Sequence, residues 1–223
     1  MTDVVKVPQV LQSLPDADAK VLLRAGQVHQ YARRDVVVRE GDIADSFHIV
    51  LEGRAAVRVT TPAGENAIVN ILGPDSHFGE VSLLGGTDPR RTASIVALEV
   101  MRTLSIPAEV FRDLRERNPR LERLVSTILA RRVDELSAQV LEAMYDSLER
   151  RIARRLAGLA AVYGSAGDEV TIPLTQEELS QLVGGARPSV NQVLRRFADE
   201  GLLTIGRGRI TVTDAGALDR RAS

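Results

Sequence analysis

Between Phe78 and Ser94 the chain reads FGEVSLLGGTDPRRTAS. This stretch fits neither a strand nor a helix, and it sets an acid and an arginine pair among three glycines. Those residue types suit a small anion that carries a sugar. Backbone amides at the start of a short helix favour a phosphate. An arginine pairs with its oxygens, bidentately where the geometry allows. Gly79 lets the backbone approach closely, and Glu80 offers a carboxylate to a sugar hydroxyl. Val81 opens a short apolar helix. Arg90 or Arg91 supplies the guanidinium, with the Thr92 hydroxyl next to it. A cyclic mononucleotide, with one phosphate charge, a ribose hydroxyl and a planar base, matches the set. FGE alone is a weak signal, and an ordinary loop with a structural Glu–Arg pair is the competing reading.

A second constellation lies in TQEELSQLVGGARPSVNQVLRRFADEGLL. Thr175 and Glu178 form a capping box ahead of a helix, with Gln176 at its first position. Gly184-Gly185 breaks that helix, Pro188 suits the first turn of the next, and Gly201 ends it. Val190, Val193, Leu194 and Phe197 give the second helix an apolar stripe. Its opposite side opens with Arg187, Pro188, Ser189, Asn191 and Gln192, and Arg195 and Arg196 follow. Arginine can bridge the two acceptors of guanine, and Asn or Gln those of adenine. Ser189 and the helix start suit a backbone phosphate. LLTIGRGRITVT then reads as two short strands around a turn, a wing that presents Arg207 and Arg209. Residues 146–223 hold eleven arginines and ten acids, so three arginines with no acid from Arg187 to Arg196 is a local enrichment. A helical hairpin used only for packing is the alternative, and it leaves that enrichment unexplained.

The elements that would position these groups change period along the chain. From Val36 to Ile106, VVV, FHIVLEG, RAAVRV, NAIVNIL, SIVALEV and MRTLSI read as short strands divided by EGD, TPAG and GPD turns. Such spacing predicts a small sandwich or barrel. Asn118-Pro119 is a helix start. Leu129, Val133, Leu136 and Val140 then recur as a heptad seam, either against the helix's own domain or against a second chain. DSLE, Asp146 to Glu149, has the form of a capping box with Asp146 as its first residue, which places a hinge at Tyr145-Asp146.

Composition limits the alternatives. The 223 residues carry a net charge of −1 and no cysteine, which excludes disulfides, a zinc finger and thiolate-held clusters. His29, His48 and His77 lack metal-ligand spacing and read as structural. Only Lys6 and Lys20 are lysines, so no single arginine carries weight without its context. No nucleophile–base–acid arrangement and no P-loop lysine point to an enzyme. No apolar run is long enough to span a membrane, and the first residues lack a basic segment and an apolar signal core, so the expected location is the cytoplasm.

Taken in order, EGD, FHIVLEG, GPDSHFGE, RTAS, the long helix and TQEELSQLVGGARPSVN resemble the cyclic AMP receptor protein/FNR family of bacterial transcription regulators. The resemblance runs from about residue 10 to residue 215. It implies an α+β chain. The parts would be an N-terminal β-roll sensor, a cyclic-nucleotide-binding jelly roll, over 1–117; a dimerisation helix over 118–145; and a C-terminal winged helix-turn-helix over 146–223. It further implies a homodimer on a two-fold symmetric double-stranded DNA operator, RNA polymerase as a partner, and cyclic AMP or a related cyclic nucleotide as effector. The family's nucleotide site maps to Gly79, Glu80, Arg91 and Thr92, and in its recognition helix Arg187 and Ser189 match. Three departures stand out. The Gly79-to-Arg91 spacing is slightly long, which leaves Arg90 as a possible phosphate partner. Counted from LARR, the base-contacting helix positions are Leu136, which cannot hydrogen-bond, and Ser137, which can. Pro188 replaces a glutamate that many members use to read cytosine, so the operator should differ at that base pair.

Overall fold

The structure, a computed structural model, describes residues 7–84, 89–164 and 169–222. The Gly85–Asp88 part of the opening segment lies outside them. The chain divides into two compact units, Met1–Thr60 with Val69–Glu135, and Thr61–Ile68 with Leu136–Ser223.

The first unit is built on two four-stranded antiparallel sheets. One has the order β1 (Gln27–Tyr31), β8 (Met101–Pro107), β3 (Ser46–Glu52), β6 (His77–Phe78). The other has the order β2 (Val36–Val38), β7 (Ser94–Ala97), β4 (Ala55–Thr60), β5 (Asn66–Leu72). This is the jelly-roll arrangement expected of the strand-rich segment, with β1 and β6 added. β3 is buried on both faces, which is why FHIV reads as a continuous apolar run broken only by a histidine. Phe47 and Ile49 pack with Leu11 and Leu22, with Phe111 of the helix Ala108–Arg117 (α2), and with Leu121 and Val125. Leu22 belongs to the helix Asp16–Ala25 (α1). Val50, on the opposite face, packs with Phe78, Ile95 and Met101. Burial of each such side chain contributes about 1.5–3 kcal/mol.

The long helix α3 runs Pro119–Tyr145, and Asn118 caps it by accepting from the Arg120 amide (2.9 Å). The helix's own domain covers only the first part of the seam. Leu121, Val125 and Ile128 are buried in the β-roll's own core and Leu129 packs beside them. Val133, Leu136, Val140, Leu141 and Met144 are exposed.

In the second unit, α4 (Leu148–Tyr163) begins one residue later than the DSLE reading placed it. Ser147, not Asp146, is the N-cap, accepting from the Arg150 amide (3.3 Å). Asp146 instead pairs with Arg154, and one ion pair, Glu142 with Arg155 (3.3 Å), straddles the junction after Tyr145. A three-stranded sheet follows in the order β10 (Leu203–Gly206), β11 (Arg209–Val212), β9 (Val170–Ile172), packed with α4 and α6 (Arg187–Asp199), while α5 (Gln176–Val183) packs on α4 and α6, and α7 (Ala215–Ala222) packs on α4. Among the described residues, no helix is long and apolar enough to cross a membrane.

Candidate ligand pocket and nucleic-acid interface

In the first unit the polypeptide brings Gly79 and Arg91 into contact. Gly79 has φ +83°, and a Cβ built there would lie 2.5 Å from Arg91 Nη1 and 2.6 Å from the Ser46 carbonyl oxygen. Only glycine accommodates that conformation and that approach together. Arg91 is buried, at 6% exposure. Its Nη1 donates to the Ser46 carbonyl (2.8 Å), and its Nη2 donates to the Ser46 hydroxyl (2.8 Å) and to Asp45 Oδ1 (3.3 Å). Burial pulls its pKa below the usual arginine range, and the Asp45 carboxylate pulls it back up. The carboxylate paired with Arg91 is therefore Asp45; Glu80 acts on it only as a weaker, more distant charge.

Glu80 is half-buried at the start of a 3₁₀ turn, Glu80–Leu83. That turn is anchored at its far end. Leu83 is fully buried in the core, and its carbonyl accepts from Arg115 Nη1 (2.7 Å), which also pairs with Glu122. Val81 lies in the turn, and its side chain is outside the described residues. Arg90 is exposed and donates to the Gly41 carbonyl (3.3 Å). Thr92 is exposed, and so is Ser137 on α3. Two backbone bonds hold the arginine segment against the EGD turn, Gly41 N to Arg91 O (2.9 Å) and Arg91 N to Asp42 O (2.8 Å).

Sequence reasoning missed Asp45, Ser46 and His48. His48 is buried, as a structural histidine should be, with Nε2 3.0 Å from Ser46 Oγ and its ring stacked on Phe78 at 4.6 Å. Burial, reinforced by the Arg91 charge, pushes its pKa from 6.5 down to about 3. Two polar side chains on one face of a buried strand were the available signal.

In the second unit the capping box forms as expected. The Glu178 amide donates to Thr175 Oγ1 (3.0 Å), and the Thr175 amide donates to Glu178 Oε2 (2.9 Å). α5 ends at Gly184, which is left-handed (φ 63°, ψ 46°). Gly185 follows because a Cβ there would meet Leu148 Cδ1 at 2.6 Å. Val190, Leu194 and Phe197 bury one face of α6. Arg187, Pro188, Asn191, Gln192 and Arg195 line a shallow concavity on the other, and Ser189 is exposed. The N-terminus of α6 has no side-chain cap, which leaves backbone donors pointing outward. Arg187 lies 3.4 Å from Glu177 of α5, both largely exposed. Asn191 Oδ1 is buried with no hydrogen-bond partner among the described residues. Arg196 and Asp199 line the same concavity, and Arg196 also pairs with Glu149, which pairs in turn with Arg221 (3.4 Å). Thr175 and Gln176 are half-buried, and Arg207 is exposed at the tip of the wing. A helix whose polar face carries Arg, Asn, Gln and Ser over an apolar base can enter a major groove.

Two family models match the chain: the cyclic nucleotide-binding domain over residues 28–118 and the Crp-like helix-turn-helix domain over residues 150–221. A CRP-like cAMP-activated global transcriptional regulator from Mycobacterium tuberculosis is 27% identical over 226 residues, covering all of both chains. A solved CRP-family transcriptional regulator from Thermus thermophilus superposes with TM-score 0.72 at 25% identity, over 87% of this chain and 96% of the other. The c-di-GMP-responsive global regulator of Xanthomonas campestris shares the fold, with TM-score 0.73 at 19% identity over 89% and 99%.

Proposed function

The chain belongs to the Crp/Fnr family of transcription regulators, a DNA-binding regulator and not an enzyme, and from that premise we propose that it is a homodimer whose grip on a two-fold symmetric operator is set by a cyclic mononucleotide, cyclic AMP in the first place. One observation carries the effector reading. A buried arginine packs over a left-handed glycine, one residue from Glu80 and its short turn. Burying a cation costs stability unless it is paired, and Arg91 sits where a phosphate would add a second anionic partner.

In this reading Arg91 takes the phosphate, Glu80 the ribose hydroxyl, and Gly79, Val81 and Thr92 shape the cradle. Arg90 remains the alternative cation, and Ser137 meets the base. Residues 1–117 are the sensor, 118–145 the dimerisation helix and 146–223 the DNA-binding domain. The exposed Val133, Leu136, Val140 and Met144 meet their counterparts in a second copy. Arg187, Asn191 and Gln192 read base edges; Ser189, Thr175, Gln176, Arg195 and Arg207 hold the backbone. The regulator works in the cytoplasm on double-stranded DNA, with RNA polymerase as its partner.

Calorimetric titration with cyclic AMP, cyclic GMP and c-di-GMP tests the effector. Saturable binding of a cyclic mononucleotide that Arg91→Lys weakens is the expected result, and absence of heat and of thermal shift at millimolar ligand would remove it. A second reading has its own support. Arg91 already holds Asp45 and Ser46, and Leu136 offers no hydrogen bond to a base. A regulator with a closed sensor pocket, or with another effector, would bind its operator equally well with and without nucleotide.

A further inference from the structure

The 3₁₀ turn of the sensor is fastened at its far end to elements outside the candidate pocket. Glu80 opens the turn directly after Gly79, and Leu83 closes it. The Leu83 side chain is fully buried in the core that Phe111 of α2 and Leu121 and Val125 of α3 share. Its carbonyl oxygen accepts from Nη1 of Arg115 (2.7 Å), a residue in the last turn of α2. The other edge of that guanidinium faces Glu122, which stands in the first turn of α3. Nε donates to Glu122 Oε2, and Nη2 donates to Oε1 (3.3 Å). The backbone of Arg115 is held at the same corner. Its carbonyl accepts from the Asn118 amide (3.3 Å), and the Asn118 side chain caps α3.

One planar group therefore joins the turn, α2 and the root of α3. Each contact has an electrostatic reason. The carbonyl that ends a helical turn carries partial negative charge, and a carboxylate in the first turn of α3 meets the positive end of that helix. Stability does not account for the arrangement. The Glu122 side chain is 54% exposed, and an ion pair so open to water contributes little. The fork supplies geometry instead. Its donors lie in one rigid plane, so the contact to Leu83 and the contact to Glu122 cannot shift independently.

We infer that Arg115 is a positioning residue that couples the sensor turn to the long helix: it holds the Leu83 carbonyl at a fixed place relative to Glu122, so a displacement of the turn reaches the first turn of α3. The consequence for effector control rests on the reading of the pocket given above; the tie between turn and helix does not. Charge alone does not meet the demand. A lysine ammonium is a compact point charge on a flexible stem, and it serves one of the two partners without fixing the other.

The test uses the full-length protein and hydrogen–deuterium exchange read on peptides. In Arg115→Met, amides of 79–84 and of 119–126 should exchange about tenfold faster, while those of β3 and β8 keep wild-type rates. Arg115→Lys should behave like Arg115→Met. Glu122→Gln changes an exposed side chain of α3, and its effect should be felt in the turn as well. Faster exchange in one segment alone, an equal rise in every peptide, or wild-type protection of the turn in Glu122→Gln overturns the inference. If Arg115→Met does not fold, Glu122→Gln decides. The second arm uses cyclic AMP as probe. The ratio of operator affinities with and without the nucleotide, read by fluorescence anisotropy, should fall about tenfold in Arg115→Met while calorimetry still shows the nucleotide bound. An unchanged ratio in a folded variant that binds the nucleotide overturns the relay. If the wild type shows no response to cyclic AMP, the effector reading fails, while the exchange arm still decides the tie.

Discussion

Gly79→Ala tests whether the arginine is held by close approach. Two costs are expected, and the structure lets them be separated. With φ at +83°, the first is the left-handed conformation, about 1–2 kcal/mol for a residue with a Cβ. The second is contact: the new methyl would sit 2.6 Å from the Ser46 carbonyl oxygen and 2.5 Å from Arg91 Nη1. Ser46 opens the doubly buried strand β3, so the oxygen has little room to yield, and overpacking of this kind costs about 1–3 kcal/mol. Gly64→Ala is the control. Gly64 has φ +81° in the hairpin between β4 and β5, but no atom lies within 4 Å of its would-be Cβ, so it pays only the first cost. Urea unfolding of both variants should therefore show Gly79→Ala less stable than Gly64→Ala by about 1–3 kcal/mol. Effector affinity should fall in Gly79→Ala alone, because the methyl displaces the guanidinium. Equal stabilities, with effector binding intact in both, would refute the reasoning.

Other consequences are as direct. Arg187→Ala should weaken operator binding by about 1–3 kcal/mol and relax preference at one base pair, read by gel shift on operator variants. Glu177→Gln should strengthen operator binding, because it removes the acid 3.4 Å from Arg187, and a gel shift showing weaker binding would contradict that geometry. Val140→Glu should yield monomers in sedimentation equilibrium. Burying a valine is worth at least about 1.5 kcal/mol, and a symmetric seam loses it twice, roughly a hundredfold in the dissociation constant. The pKa of His48 is depressed in the fold, from 6.5 to about 3, so its contribution is fully present above pH 6.5 and is lost as pH falls toward 3. Urea unfolding at pH 7.5 and 5.5 should differ by about 1 kcal/mol on this account, with His77, also depressed by burial, acting in the same direction. His48→Gln should flatten that slope, and an unchanged slope would show that His48 is not the group responsible.

Much of this was legible in the sequence, and the gaps have physical causes. Alternating or continuous apolar runs marked β3, β4, β5, β7 and β8, because those strands face a core. β1, reading QVHQY, is mostly exposed and shows no such pattern. β6 and β9 are two and three residues long, too short to carry a period. α1 and α2 were not foreseen, since each buries only two residues and their apolar positions are few. The helix-turn-helix was readable in detail because its signals are local: a capping box, a left-handed Gly184, a proline in the first turn of α6. The N-cap of α4 was misplaced by one residue because Asp146 and Ser147 are both good caps, and pairing with Arg154 takes Asp146 away. The partners of Arg91 escaped for a similar reason. Asp45 and Ser46 lie about 45 residues before it in the chain, and only the β-roll brings them together.

The central claim is that an occupied sensor changes how a dimer reads duplex DNA. Selection of bound sequences from a pool of random duplexes, with and without cyclic AMP, tests it in a single experiment. The account predicts enrichment of a two-fold symmetric site, stronger with the nucleotide present and lost in Val140→Glu. Enrichment of nothing, or of the same unsymmetric sequences in both arms, would contradict it.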